Sequence, residues 1–171
     1  MTWTAPEATR TPGSLVAGER EMLTQYLHWF RATLLRKCAG LTGEQLAART
    51  VPPSGLSLLG LLRHLAKVER TWFRERFAGQ DLEPMYDPAK GKDADFEDLD
   101  PARAAKDYAR FVEECRLADG IVAGASLDDT FAHNGRAHSL RLVHVHMIAE
   151  YARHLGHADL VRERLDGATG D

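Results

Sequence analysis

The residues able to do chemistry crowd toward the C-terminal end of the chain: of eight histidines, six lie between residues 133 and 157. Within that stretch Glu150 and His154 stand at i and i+4. At about 100° per residue they fall about 40° apart on a helix, one turn above each other. Projected as a helix, LRLVHVHMIAEYARHLGHADLVRE centres its apolar stripe near Met147, Tyr151, Ala158 and Leu165, with Glu150 and His154 on or beside it. An ionised carboxylate turned toward a core costs several kcal/mol unless it is paired, and a divalent cation satisfies a carboxylate and an imidazole together. A metal centre of catalytic type needs three protein ligands and an open position, so the pair requires a third donor from another element. His64, in LLRHLAKVER, projects onto the shoulder of a second apolar stripe beside Leu61 and Val68 and is the candidate.

Each of these residues has a competing explanation in packing. A histidine on an apolar shoulder serves equally as a core histidine bonded to a carbonyl. Glu150 could pair with Arg153 or with an arginine of another helix, giving a buried salt bridge and no metal. His146 and His157 flank the pair as substitute ligands, as groups bonded to the ligands, or as proton carriers, and the spacing does not choose among these. His144 projects about 120° away and is expected to have no role. His133 and His138 sit in the turn-like HNGRAH, near enough in sequence to visit the mouth of a bundle. Cys38 and Cys115 are far apart, without CxxC spacing, and fall on inward helix faces, so they are expected as core thiols and not as nucleophiles or a disulfide.

The elements that must carry these groups are helical. Residues 1–13, with two prolines and four threonines, are expected as a poorly ordered lead-in. Ser14 is the expected cap of a first helix, 14–39, on which Leu15, Met22, Tyr26, Trp29, Thr33 and Leu34 recur at helical spacing. After a Pro-Pro-Ser-Gly breaker, Ser57 caps a second helix that presents Leu58, Leu61, Leu65, Val68 and Trp72 and ends near Gly79. Residues 80–100 hold eight acidic and two basic side chains and are expected as a solvated crossover loop. A third helix follows Asp100-Pro101, with Ala104, Tyr108, Phe111, Cys115 and Ala118 inward, and a fourth runs from Ser139 to about Leu165. No alternating run suggests a strand. The expected fold is all-α: a four-helix bundle over residues 14–167 with one long crossover between its second and third helices, and a tail at 168–171.

Composition narrows the function classes. The chain has 171 residues, 44% hydrophobic and 27% charged, enough for one core. No apolar run approaches the roughly 18 residues of a membrane span, and MTWTAPEATRTPGS lacks the features of a secretory signal, so a soluble protein of a reducing cytoplasm, without a membrane partner, is expected. Arginines outnumber lysines 17 to 5, but no basic cluster tracks a phosphate backbone, which argues against nucleic acid.

Two segments carry a family resemblance: HMIAEYARHLGHADLVRERLDG on the fourth helix and LSLLGLLRHLAKVERTWF on the second. Together they resemble the DinB-like superfamily, in particular its actinobacterial branch related to mycothiol-dependent maleylpyruvate isomerase. The resemblance covers about residues 14–167. It implies a four-helix bundle, commonly a homodimer, with His64, Glu150 and His154 as metal ligands, Glu150 standing where most DinB-like proteins carry a third histidine. It further implies a divalent metal, zinc first with nickel or iron as alternatives. The partners it implies are a low-molecular-weight thiol such as mycothiol and a small electrophile. Two functions follow as expectations: a thiol-dependent S-transferase or isomerase, or a metal-binding dimeric bundle of stress-response or interaction type without catalysis. Metal analysis separates both from a bundle holding only a buried polar network.

Overall fold

Directionality between helices explains the architecture. The computed structural model describes residues 2–170. Its long helices are α1 (Glu19–Cys38), α3 (Leu58–Glu69), α5 (Ala104–Val122) and α6 (Leu140–Asp166), with two short ones, α2 (Gly43–Ala47) and α4 (Ala94–Glu97). α3 continues as a π-helical stretch, Arg70–Phe77. Arg63 bonds Asp107 and, further along both helices, Arg74 bonds Glu114, so α3 and its π extension run parallel to α5. Arg141 bonds Glu19 and Lys37 pairs with Asp159, so α1 and α6 are parallel too. Parallel neighbours cannot be joined by a tight turn. The chain between Phe77 and Ala104 has to travel back along the bundle, and that is the long crossover.

Local signals set the helix ends. The Ser57 hydroxyl accepts from the Gly60 amide, and the Ser139 hydroxyl from the Leu142 amide. Asp100 caps the 3-10 turn Pro101–Arg103 that leads into α5. Gly167 closes α6 in the left-handed region, φ 78°, its amide donating to the Glu163 carbonyl. α3 lies centrally, with Leu58, Leu59, Leu61, Leu62 and Leu65 fully buried, and meets Phe111 of α5 and Met147 and Tyr151 of α6 in one core. Buried ion pairs cross that core. Arg31 holds Glu69 through two bonds of 2.6 Å, and the Tyr151 hydroxyl donates to the same carboxylate at 2.7 Å.

Four expectations are corrected. The segment 2–13 does not hang free: Ala5 is buried and exchanges backbone hydrogen bonds with Leu41 and Gly40, Thr4 bridges Thr42, and Trp3 packs edge-on to Tyr108. Backbone pairing holds it, which leaves no hydrophobic period to read. Met1 of the expected lead-in and Asp171 of the expected tail lie outside the described residues. The first helix starts at Glu19 behind Gly18, not at Ser14, and Leu15 and Val16 are 92% and 93% exposed. Its buried face runs through Leu27, Arg31, Leu34 and Cys38 and includes a charged residue, which shifted the apparent stripe.

The acidic crossover is not only a solvated loop. It holds a 3-10 turn, Pro88–Lys90, and α4, which packs on α3 with Ala94 and Asp95 buried. Gly60 permits that approach, since a Cβ there would meet the Phe96 ring at 3.2 Å. The HNGRAH region, expected as a loop, is the turn of an antiparallel hairpin, β1 (Thr130–His133) and β2 (Arg136–Ser139). Asn134 and Gly135 take φ of 52° and 71°, the left-handed pair that a two-residue hairpin turn demands.

Candidate functional site

α3 and α6 run antiparallel, and their contact places His64 against His154 with ring centroids 4.7 Å apart. Glu150, one turn before His154, sets Oε2 3.3 Å from His154 Nε2 and Oε1 3.8 Å from His146 Nε2. One ligand atom each of His64, Glu150 and His154 lies within 4.8 Å of the others. In tetrahedral geometry, donors bonded at about 2.1–2.2 Å stand about 3.5 Å apart, so side-chain closure of at most about 1.3 Å would fit the trio to a small divalent ion. The three side chains keep 21%, 24% and 11% of their surface, open enough for a small ligand to reach.

The crossover completes the site. His64 Nδ1 bonds the buried Asp95 carboxylate at 2.8 Å, which leaves Nε2 as the nitrogen available to a ligand. Phe96, the next residue, stacks on the His64 ring at 4.6 Å. Arg63, one position before His64, donates to the backbone carbonyls of Ala94 and Asp95 at 3.0 Å and to Asp107, so α4 is clamped where its carboxylate meets the imidazole. Burial pushes the Asp95 carboxyl up, but hydrogen bonds from His64 and Lys67 outweigh it and hold the group below the ordinary carboxylate range. An imidazole fixed by a carboxylate on one nitrogen is oriented and made more basic on the other.

Electrostatics on the α6 side favour neutral imidazole. Burial, then the neighbouring His64 ring, pushes His154 down to about 4, although Glu150 opposes the shift. Its Nδ1 lies 3.4 Å from His157 Nδ1. Burial also lowers His146. Neither competing arrangement forms: among the described residues no arginine makes an ion pair with Glu150, and His64 bonds a carboxylate and not a carbonyl.

The remaining candidates divide. His144 is not turned outward but is 2% exposed, its Nδ1 bonded to the Leu140 carbonyl and its ring edge-on to Phe73, an ordinary core histidine. Cys38 is buried, which pushes its thiol up to about 12, and burial likewise raises Cys115, beside the Tyr151 hydroxyl. His133 and His138 sit on the hairpin, facing each other at 5.8 Å and Trp72 at 6.5 and 6.4 Å. Trp72 in turn meets His146 at 4.3 Å. The π-helical stretch accounts for this grouping. Bonding from Ala78 back to Phe73, i to i+5, slows the turn to about 82° per residue against about 100° in an α-helix. Trp72 then falls about 26° from His64 instead of about 80°, on the same face of the helix. Nothing in the sequence singles out Asp95, one acid among eight, or Phe96; the hairpin, expected as a loop, carries one signal that could have marked it, the Asn134-Gly135 pair.

A family model described as mycothiol-S-transferase matches residues 22–167, a span that holds His64, Asp95, Glu150 and His154. Neither the curated proteins nor the solved structures contain a match to the chain.

Proposed function

Since the chain belongs to the mycothiol S-transferase family, a DinB-like family, we propose that it is a metal-dependent S-transferase in which His64, Glu150 and His154 bind a divalent ion, zinc first. In this reading a mycothiol-type thiol is joined to a small electrophile. The observation that carries it is the Asp95–His64 bond: it fixes one imidazole nitrogen and leaves the other beside a carboxylate and a second, neutral imidazole. Two nitrogens and one carboxylate oxygen are a donor set that suits zinc. A divalent ion held there would lower the pKa of a bound thiol and present a nucleophile near neutral pH.

The chain's own residues have separable tasks. Asp95 orients His64, and Arg63 and Phe96 hold Asp95 and the ring in place. The His154 tautomer that frees Nε2 carries its proton on Nδ1 and donates it toward His157. Glu150 brings one negative charge, which would leave a divalent site at a net +1 and let a bound thiolate depart to the electrophile more readily than a +2 site would. Homodimerisation is part of the reading and is supported by Leu142, Val145 and Leu160, exposed on one face of α6. A cytoplasmic setting is proposed with it; no helix among the described residues is long and apolar enough to cross a membrane.

The test is metal analysis of untagged protein together with thiol consumption across a panel of electrophiles. Near-stoichiometric metal, lost in Glu150→Ala and His154→Ala, with metal-dependent turnover, is the expected result. A wild type without metal affinity overturns the site. Full metal loading without turnover leaves a binding bundle.

A further inference from the structure

The hairpin face beside the ligand trio is crowded with cationic and ring groups and poor in acids. Arg76 lies over the Trp72 ring, its guanidinium carbon 4.2 Å from the centroid. Among the described residues no acidic side chain forms an ion pair with Arg76, while its chain neighbour Glu75 pairs with Arg70. The other two arginines of the π stretch each have a carboxylate within ion-pair distance: Arg70 has Glu75 at 3.3 Å and donates to the Glu83 carbonyl, and Arg74 bonds Glu114. Arg76 departs from that pattern, and it stands where the π geometry puts it on the face of His64 and Trp72.

Contacts lead from Arg76 to the trio without a break: Arg76 on Trp72, Trp72 to His146 at 4.3 Å, and His146 to Glu150 at 3.8 Å. The hairpin closes the outer side with His133 and His138, and His138 stacks on Phe131 at 5.5 Å. A fixed, half-buried cation without a carboxylate partner beside a wall of rings suits a planar ligand that carries an anionic group. Glu75 acts on that charge only at a distance, so a neutral electrophile would leave it without a bonded counter-charge.

We propose that Arg76, carried on Trp72, is the anchor for a carboxylate on the electrophile, and that the acceptor substrates are planar, conjugated carboxylates seated against the His138–Trp72 wall. This rests on the transferase reading above. The transfer it positions is a substitution: the thiolate sulfur forms the new carbon–sulfur bond, a leaving group such as chloride departs with its bonding pair, and the thiol proton passes to solvent.

Binding and turnover are measured separately so that the two readings fail separately. Calorimetry on the zinc-loaded full chain compares 3,5-dinitrobenzoate with neutral 1,3-dinitrobenzene. The wild type should prefer the benzoate by about tenfold to a hundredfold, the range for a charge-assisted hydrogen bond. Arg76→Met should bring that ratio close to one, and Arg76→Lys should keep part of it. No preference in the wild type, or a preference intact in Arg76→Met, overturns the anchor; the second outcome would place the carboxylate on the metal. Thiol consumption with 4-chloro-3,5-dinitrobenzoate judges the transferase reading: no turnover beside an Arg76-dependent preference sinks that reading and keeps the anchor.

Discussion

Replacing Asp95 by Asn isolates the device that orients His64. The substitution keeps the side-chain shape and removes the charge that meets His64 Nδ1 at 2.8 Å and Lys67 at 3.1 Å. The Lys67 pair is 41% exposed on the lysine side and contributes little. The His64 bond lies in a site where Asp95 is 2% exposed, so the loss there is felt in full. Removing a carboxylate behind a metal-ligating histidine costs about 10- to 100-fold in metal affinity, equivalent to about 1.4–2.7 kcal/mol. The assay is competition for zinc against a chromophoric chelator in wild type, D95N, H64A and K67Q, with the melting midpoint of each recorded. D95N should fall between wild type and H64A, and K67Q should stay near wild type. Zinc affinity in D95N equal to that of the wild type, with H64A defective, would refute the orienting role. A D95N defect as large as that of H64A, together with a collapsed melt, would show that Asp95 serves the fold and not the ligand.

Three further outcomes are expected. Glu69→Gln leaves Arg31 buried opposite a neutral amide, a change that typically costs about 3–5 kcal/mol in denaturant unfolding; the lower end is expected because Asp119 still holds Arg31 at 2.7 Å, and a loss below about 1 kcal/mol would contradict the buried pair. Burial lowers the His144 imidazole below its ordinary value, so between that folded value and about 6.5 the unfolded chain binds the extra proton and stability falls as pH drops through about 6.5. His144→Gln should flatten part of that slope, and an unchanged slope removes His144 from the account. Gly135→Ala puts a Cβ at φ 71° and should strain the hairpin by about 1–2 kcal/mol, read as about 5- to 30-fold faster amide exchange over 130–139 with α3 and α6 unaffected.

Much of the frame was legible because its signals are local. Ser57, Ser139 and Gly167 bound their helices by hydrogen bonds within a few residues, and the i, i+4 spacing of Glu150 and His154 fixes their relation before any tertiary contact forms. Legibility fails where burial does not follow polarity. α1 buries Arg31 and Lys37 while Leu15 and Val16 just before it stand exposed, so polarity along this segment points to the wrong stripe. Asp95 shares its composition with seven acids that keep to solvent or the surface; only Arg63, itself a buried charge, selects it by gripping the backbone of α4. The hairpin has the strongest short-range turn signal in the chain, yet His133, Arg136 and His138 gave its strands no apolar alternation.

The same topology that made the crossover hard to read gives it a task. α3 and α5 are parallel, so the chain must return along the bundle, and its return path crosses the face that carries His64. A segment obliged to lie there by direction alone can be recruited at little extra ordering cost: Arg63 clamps it, Gly60 admits Phe96, and Asp95 then reaches His64. The π stretch acts on the other side of His64 by turning Trp72 and Arg76 onto its face. His64 is therefore oriented by the connection that follows its helix, and the space beside it is lined by the continuation of that helix. Substitutions in these two segments should separate cleanly, crossover changes moving metal affinity and π-stretch changes moving the choice of electrophile.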